Sequence, residues 1–198
     1  MPKMAPAARA ERRQQIIDAA WRCAARKGFS DLTVDEVCAE AGLSKGAFYG
    51  YFDSKQALLV ALLEEDAGAL DDLSEDLEGA EISDVERLRR FMRATVERGE
   101  HPGQVQLRAD LWAGMLTDEV VRSRFSEAIA RRRKRLKVWI DRAVASGELS
   151  EVPSNALASI LLALSDGLTL HAGLDPSGFR WPNVRRALDA LLEGISRA

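Results

Sequence analysis

The stretch GLSKGAFYGYFDSK, Gly42 to Lys55, decides the fold of this chain. Its apolar residues recur at helical spacing, yet it contains two internal glycines, and each weakens a helix by about 1 kcal/mol relative to alanine. At about 100° per residue, a helix from Lys45 to Phe52 has two unlike faces. Residues on one face can pack in a core: Ala47, Phe48, Tyr51 and Phe52. The opposite face is nearly bare: Lys45, Gly46, Tyr49 and Gly50.

The bare face suits a helix that enters the major groove of DNA. The groove is about 12 Å wide, and small residues let a backbone come close to it. Lysine and tyrosine side chains can reach phosphates and thereby fix the position of the helix. Periodicity alone leaves a second interpretation open, in which the aromatic residues form a core and the glycines permit tight packing between helices.

Helix signals upstream favour the DNA interpretation. Thr33 and Glu36 have the spacing of a capping box at the start of a short helix. Gly42 can end that helix, and Ser44 can cap the next one. Two short helices joined by a turn of about four residues, after a basic first helix, predict a helix-turn-helix.

Charge is distributed unevenly along the 198 residues, although the net charge is only −3. Residues 1–27 carry seven basic side chains and two acidic ones, whereas residues 56–86 carry eleven acidic side chains and no lysine or arginine. A basic first helix fits a nucleic-acid partner. No apolar run reaches about 18 residues, and the N-terminus lacks the apolar core of a signal peptide, so we expect a cytoplasmic protein without membrane contact.

The remainder of the chain also has helical periodicity, interrupted by glycine and proline. We predict an all-α fold of about nine helices: 7–27, 34–41, 45–52, 55–77, 84–99, 103–116, 118–146, 154–173 and 181–197. Residues 1–54 are expected to form a three-helix helix-turn-helix DNA-binding domain. Residues 55–198 are expected to form a helical ligand-binding and dimerisation domain.

Catalytic and metal-binding patterns are absent from the sequence. The only histidines, His101 and His171, are widely separated, and Cys23 and Cys38 fall in apolar helical patterns as buried thiols. There is no phosphate-binding loop, metal-ligand spacing or nucleophile elbow. We therefore expect no catalytic residues, metal or cofactor. A DNA-binding regulator is favoured over a helical enzyme or adaptor.

The segment from Ile16 to Leu63 resembles the N-terminal domain of the TetR family of transcriptional regulators, most densely in AGLSKGAFY and SKQAL. The resemblance implies that Lys45, Gly46 and Ala47 begin the recognition helix and face bases. It also implies phosphate contacts by five other residues: Thr33, Ser44, Tyr49, Tyr51 and Lys55. Gly50 departs from many relatives, which carry a bulky or polar residue there, so the set of base-reading residues is expected to be smaller or shifted.

The C-terminal half, with LRADLWAGMLTDEVVRSRFSEAI, resembles the domain of BetI-like members. This resemblance implies a homodimer on a palindromic double-stranded DNA operator, released by an unknown small molecule that we expect to be apolar or cationic-apolar. The alternative is a regulator without an inducer. Candidate pocket residues are Phe91, Met92, Thr95, Trp112, Met115, Trp139 and His171. Candidate dimer residues are Leu161, Leu168, Val184, Leu188, Leu191, Leu192 and Ile195. Plain core packing remains open for both sets.

Two charged features of this half need separate explanations. Asp166 lies in an otherwise apolar helix, where a carboxylate must be paired or hydrogen-bonded, so we expect an ion pair with an arginine. The run RRRKRLK, Arg131 to Lys137, is interpreted as a solvated helix face opposite the acidic helix.

Overall fold

A computed structural model describes residues 5–100 and 104–195, apart from a few side chains in α6 and that of Ile195. Nine α-helices lie within this part of the chain. They are α1 (Pro6–Lys27), α2 (Val34–Ala41), α3 (Lys45–Tyr49), α4 (Lys55–Gly79), α5 (Asp84–Gly99), α6 (Gln104–Thr117), α7 (Glu119–Ala145), α8 (Ser154–Leu174) and α9 (Trp181–Ile195). The predicted all-α class is confirmed.

Local capping explains where the first helices begin and end. The Thr33 hydroxyl accepts a hydrogen bond from the Glu36 N–H, and the Glu36 carboxylate accepts one from the Thr33 N–H, which completes the predicted capping box. Ser44 and Ser54 accept similar bonds from Ala47 and Ala57. Gly42 ends α2 at φ 64°, in the left-handed region that glycine adopts without steric cost.

The predicted length of the third helix is wrong. It was expected to continue to Phe52, but α3 ends at Tyr49. The N–H groups of Gly50 and Tyr51 bond to carbonyls three residues back, at 3.1 and 2.9 Å, so the last turn tightens. The two predicted faces survive because the tightened turn keeps Phe52 in the core, with 3% of its surface exposed.

We call helices α1 to α3 the N-terminal head. Its apolar core extends beyond these three helices. It contains Phe48 and Ile16, both fully buried, together with Leu58 and Leu62 from the first half of α4. Val121 at the start of α7 completes it. The division at residues 54 and 55 stays a prediction, and the packing of the head continues across it.

A second core lies in the C-terminal part of the chain, from the second half of α4 to α9, which we call the sensor domain after its predicted ligand-binding role. Trp139 of α7 is fully buried, its ring meets Phe91 of α5 edge-to-face at 5.9 Å, and Leu70 and Leu77 from the second half of α4 pack with them. Helices α8 and α9 both pack on α5. α4 therefore contributes to both cores as one uninterrupted helix.

Helix α8 is long and apolar enough, by composition alone, to cross a membrane. It packs against α5, α6 and α7, as the core helix of a globular domain does. Only 33% of its most apolar window is buried within the protomer, so part of this helix presents an apolar surface outward.

Candidate nucleic-acid interface and sensor core

The two predicted faces of α3 are present. Phe48 is fully buried, whereas Lys45, Gly46, Tyr49 and Gly50 are all exposed. The Tyr49 ring is 48% exposed and rests edge-to-face on Phe48, with 5.4 Å between ring centroids. Tyr49 is thus supported by the core and remains about half exposed.

Packing inside the protein does not explain the two glycines of this face. A Cβ atom at Gly46 would meet no other residue within 4 Å, and one at Gly50 would approach only the Ala47 carbonyl oxygen of its own turn, at 3.2 Å. Neither glycine has a positive φ. The alternative in which these glycines permit tight helix packing is therefore wrong.

Polar residues around α3 are held by their neighbours. The Lys45 ammonium lies 2.9 Å from an Asp35 carboxylate oxygen, and the hydrogen bond with Asp35 raises the pKa of Lys45. The Thr33 and Ser44 hydroxyls accept capping bonds from backbone N–H groups. The Glu36 pKa is lowered to about 2, first by a hydrogen bond from Lys27 and then by the Thr33 backbone. Thr33, Ser44 and Lys45 thus all have partners within the protein.

Arg9 of α1 is a candidate interface residue that the sequence predictions omitted. Its Nη2 donates to the Gly50 carbonyl oxygen at 3.0 Å, and its guanidinium lies 5.3 Å from the centre of the Tyr51 ring. The basic composition of α1 was the available signal, but composition does not show which arginine reaches the recognition helix.

Lys55 occupies a more sheltered place than a free phosphate ligand would. Its ammonium donates to the Ser30 carbonyl oxygen at 2.7 Å and lies 4.9 Å from the Phe29 ring centre. Burial lowers its pKa. Its role toward phosphate stays a prediction.

A buried carboxylate joins the head to the sensor. Asp110 of α6, 8% exposed, accepts hydrogen bonds from the Phe29 backbone N–H and the Ser30 hydroxyl in the loop between α1 and α2. A sequence separation of 81 residues hid this contact from pattern analysis.

The seven predicted pocket residues do not share one cavity. Phe91, Met92, Thr95 and Trp139 are buried in the sensor core. Met115 packs against the head core, Trp112 is 45% exposed and His171 is exposed. His101 lies outside the described residues.

The predicted dimer residues divide in the same way. Three leucines are buried within the protomer and belong to the sensor core: Leu161, Leu188 and Leu192. Leu168 and Val184 are half-buried, Leu191 is 63% exposed, and the side chain of Ile195 is outside the described part. Two apolar residues beyond that set are also strongly exposed, Ile160 at 61% and Leu174 at 81%.

The expected ion pair of Asp166 is confirmed, and its partner is Arg108 of α6. The basic run on α7 is only partly solvated, because Arg132, Arg133 and Arg135 are half-buried and Leu136 is fully buried. Arg131 faces the acidic helix as expected, with its Nε 3.3 Å from an Asp71 oxygen.

A short recognition helix with a bare outer face, held on a helical body with its own core, defines a helix-turn-helix DNA-binding regulator. Residues 16–62 match the model for bacterial regulatory proteins of the tetR family, and residues 84–197 match that for the C-terminal domain of BetI-type transcriptional repressors. The chain belongs to the TetR family. The prediction of a DNA-binding transcriptional regulator, and not of an enzyme, is confirmed.

Similar proteins extend over nearly the whole chain. The HTH-type transcriptional repressor AcnR of Corynebacterium glutamicum is 28% identical over 186 residues, which cover 93% of this chain and 92% of AcnR. A TetR transcription regulator from Haloarcula marismortui superposes with a TM-score of 0.84 at 22% identity, covering 95% of this chain and all of that one. A transcriptional regulator from Saccharomonospora viridis in complex with choline superposes with a TM-score of 0.83 at 23% identity. The match covers 96% of this chain and 100% of that one. At these identities the two structures show the fold alone.

Proposed function

We propose that this chain is a cytoplasmic repressor that binds a palindromic operator as a homodimer and leaves it when a small molecule binds the sensor domain. The open space around Gly46 on the exposed face of α3 carries the DNA part of the proposal. A glycine that the protein does not need for its own packing fits a backbone that must approach another molecule. The name of AcnR as a repressor supports the direction of regulation.

Exposed apolar residues on α8 and α9 support a homodimer. Ile160, Leu174 and Leu191 are more than half exposed, although both helices otherwise pack into the sensor core. Large exposed apolar patches mark association sites in soluble proteins, and we infer that these three side chains form part of one. A two-fold dimer would also present two recognition helices to the half-sites of a palindrome, about 34–36 Å apart.

Release by a ligand is supported by the way the head is attached. α4 belongs to both cores, and Asp110 of α6 holds the loop before α2. A change in the sensor that moves α4 or α6 would therefore move the recognition helices relative to one another. Coupling of about 1–3 kcal/mol between ligand and operator would be ordinary, and it must be reciprocal.

The DNA face can be tested with Gly46→Ala against Gly68→Ala as a matched control. A Cβ meets nothing within 4 Å at either position, so both variants should fold and gain up to about 1 kcal/mol from helix propensity. Gly46→Ala should weaken binding to the operator, measured by fluorescence anisotropy, because the added methyl keeps the backbone away from DNA. Gly68→Ala lies within α4 and should leave affinity unchanged. Equal affinities for the two variants would show that α3 does not approach DNA as proposed.

A further inference from the structure

Beside its apolar core, the sensor domain contains a cluster of charged side chains. Asp66 of α4 and Arg108 of α6 are only 8% and 6% exposed. Arg98 of α5 donates to an Asp66 oxygen at 2.6 Å, and Arg108 pairs with Asp166 of α8. Arg132 of α7 is half-buried beside them. Five charged residues on five helices thus face one another.

The cluster has more positive charge than its own carboxylates balance. Three guanidinium groups face two carboxylates within this cluster, and the nearby Asp71, which also acts on Arg132, already pairs with Arg131, so an excess of one positive charge remains. Burial raises the pKa of Asp166 and lowers the pKa of Arg132, so it opposes the charged form of both groups. A buried charge is costly unless it is paired and hydrogen-bonded.

The hydrogen-bonding capacity of the arginines is also incomplete. The Nε atoms of Arg98, Arg108 and Arg132 are buried, and none of them donates to an acceptor in the described part of the chain. Buried donors are normally satisfied, so three unsatisfied guanidinium nitrogens in one cluster require an explanation. An oxyanion supplies both the missing charge and the missing acceptors, and a planar guanidinium is suited to bind one.

A cavity of about 60 Å³ between α4, α6 and α7 reaches Arg108 and Arg132. Leu63, Ala67 and Phe125 form part of its apolar wall. A cavity needs about 10–15 Å³ of such volume to hold one water molecule, so this space is large enough for a small polar group such as a phosphate or a carboxylate. The lining includes three carboxylates and four arginines: Glu64, Asp66, Glu127, Arg108, Arg124, Arg131 and Arg132. One positive charge is therefore in excess around the cavity, and charge repulsion opposes a cation such as choline.

We propose that the sensor domain binds a small anionic molecule, through a carboxylate or phosphate group, at Arg108 and Arg132. This inference rests on the function proposed above, since it names the chemical class of the releasing ligand. It differs from the apolar or cationic-apolar ligand that the sequence predicts. Arg108 lies two residues before Asp110, which holds the loop of the head, so an anion that draws Arg108 away from Asp166 acts on the segment of α6 attached to that loop.

Binding to the free full-length protein, without DNA, tests the site directly. Succinate, inorganic phosphate and choline chloride would be titrated by calorimetry at constant ionic strength. We expect succinate or phosphate to bind and choline not to bind, and the two anions distinguish a carboxylate ligand from a phosphate ligand. Binding of neither anion, or of choline alone, would overturn the proposal.

Variants assign any anion binding to the cluster. Arg132→Met should lower the affinity for the anion at least about tenfold, as expected for loss of a charged hydrogen bond. The double variant Arg108→Met with Asp166→Asn should do the same without leaving a buried carboxylate ionised and unpaired. Arg90→Met removes the same charge from the surface of α5 and should change affinity less than threefold. Unchanged affinity in both cluster variants would refute the site.

The site and the proposed function can fail separately. A mobility-shift assay with the operator, run first without any anion, tests DNA binding alone. If the protein binds operator and anion but the anion does not release DNA, the ligand-release step fails and the anion site stands. If the operator is bound and no anion binds the free protein, the anion site fails and the DNA-binding function stands.

Discussion

The head and the sensor domain place their charges differently. In the head the core is apolar, and ion pairs such as Arg22–Glu40 and Lys27–Glu36 lie on its surface. In the sensor domain Asp66 and Arg108 lie inside, next to an apolar core of ordinary composition. The head is thus built as a rigid support for α3. The sensor domain instead buries charged side chains, which is costly unless they are paired and hydrogen-bonded.

Phe48→Ala is the strongest test of the head. Removing a fully buried ring between α3 and the rest of the head should cost about 3–5 kcal/mol in unfolding free energy. Hydrogen exchange read by mass spectrometry should show lost protection in residues 16–63 and retained protection in α5, α8 and α9. An equal loss of protection in peptides from α5, α8 and α9 would mean that the two cores unfold as one unit. The head and the sensor domain would then not differ in the way described above.

A double-variant comparison tests the buried charges. Arg108→Met alone should destabilise the protein by about 3 kcal/mol, because Asp166 would remain largely buried, with its side chain 18% exposed, and lack its partner. Arg108→Met combined with Asp166→Leu should recover most of that loss, or exceed the parent in stability, in urea unfolding. If the double variant is less stable than the single one, the pair contributes to stability and the contrast between the domains is weaker than stated.

Lys45→Ala probes the exposed face of the head. If Lys45 reads a guanine edge, its loss should cost about 1–3 kcal/mol at one operator position and change the ranking of operator variants. Tyr49→Phe should instead weaken binding to all operator sequences about equally. Lys137→Ala, which removes a surface charge from α7, is the control. An unchanged ranking for Lys45→Ala would remove this lysine from the base-reading set.

Replacing Glu78 should have the smallest effect on the unfolding free energy, and that effect should depend on pH. Hydrogen bonds from Arg142 and then from Trp139 lower its pKa to about 2. A lowered pKa in the folded state means that the stabilisation is present above the ordinary value near 4.5 and is lost as pH falls toward about 2. Glu78→Gln should therefore cost at most about 1 kcal/mol at pH 7 and nothing near pH 2, measured by urea midpoints. A difference that does not change with pH would exclude this titration as its cause.

Local signals made the head predictable. Caps at Thr33 and Ser44 and the two faces of α3 depend on residues within one or two turns of each other, so the sequence contains them directly. The early end of α3 was not predicted. It results from two hydrogen bonds to carbonyls three residues back, and no distinctive residue pattern in the sequence indicates such bonds.

The sensor site could not be predicted in the same way. Arg98 and Asp66 are 32 residues apart, and Arg108 and Asp166 are 58 apart, on helices whose contacts only the fold determines. Aromatic and methionine residues suggested the pocket, but in the structure Phe91, Met92 and Trp139 fill the core. The position of Asp166 in an apolar helix was enough to predict that it would pair with an arginine. It was not enough to predict which arginine.

The Asp110 contact also has a consequence for synthesis of the chain. Phe29 leaves the ribosome 81 residues before Asp110. At about 5–20 residues per second this is a delay of roughly 4–16 s, in which the loop before α2 lacks its carboxylate partner. Val121, which completes the head core, comes later still. The DNA-binding end is thus made first and finished late, so a nascent chain would acquire its ordered recognition surface only once much of the sensor domain has been translated.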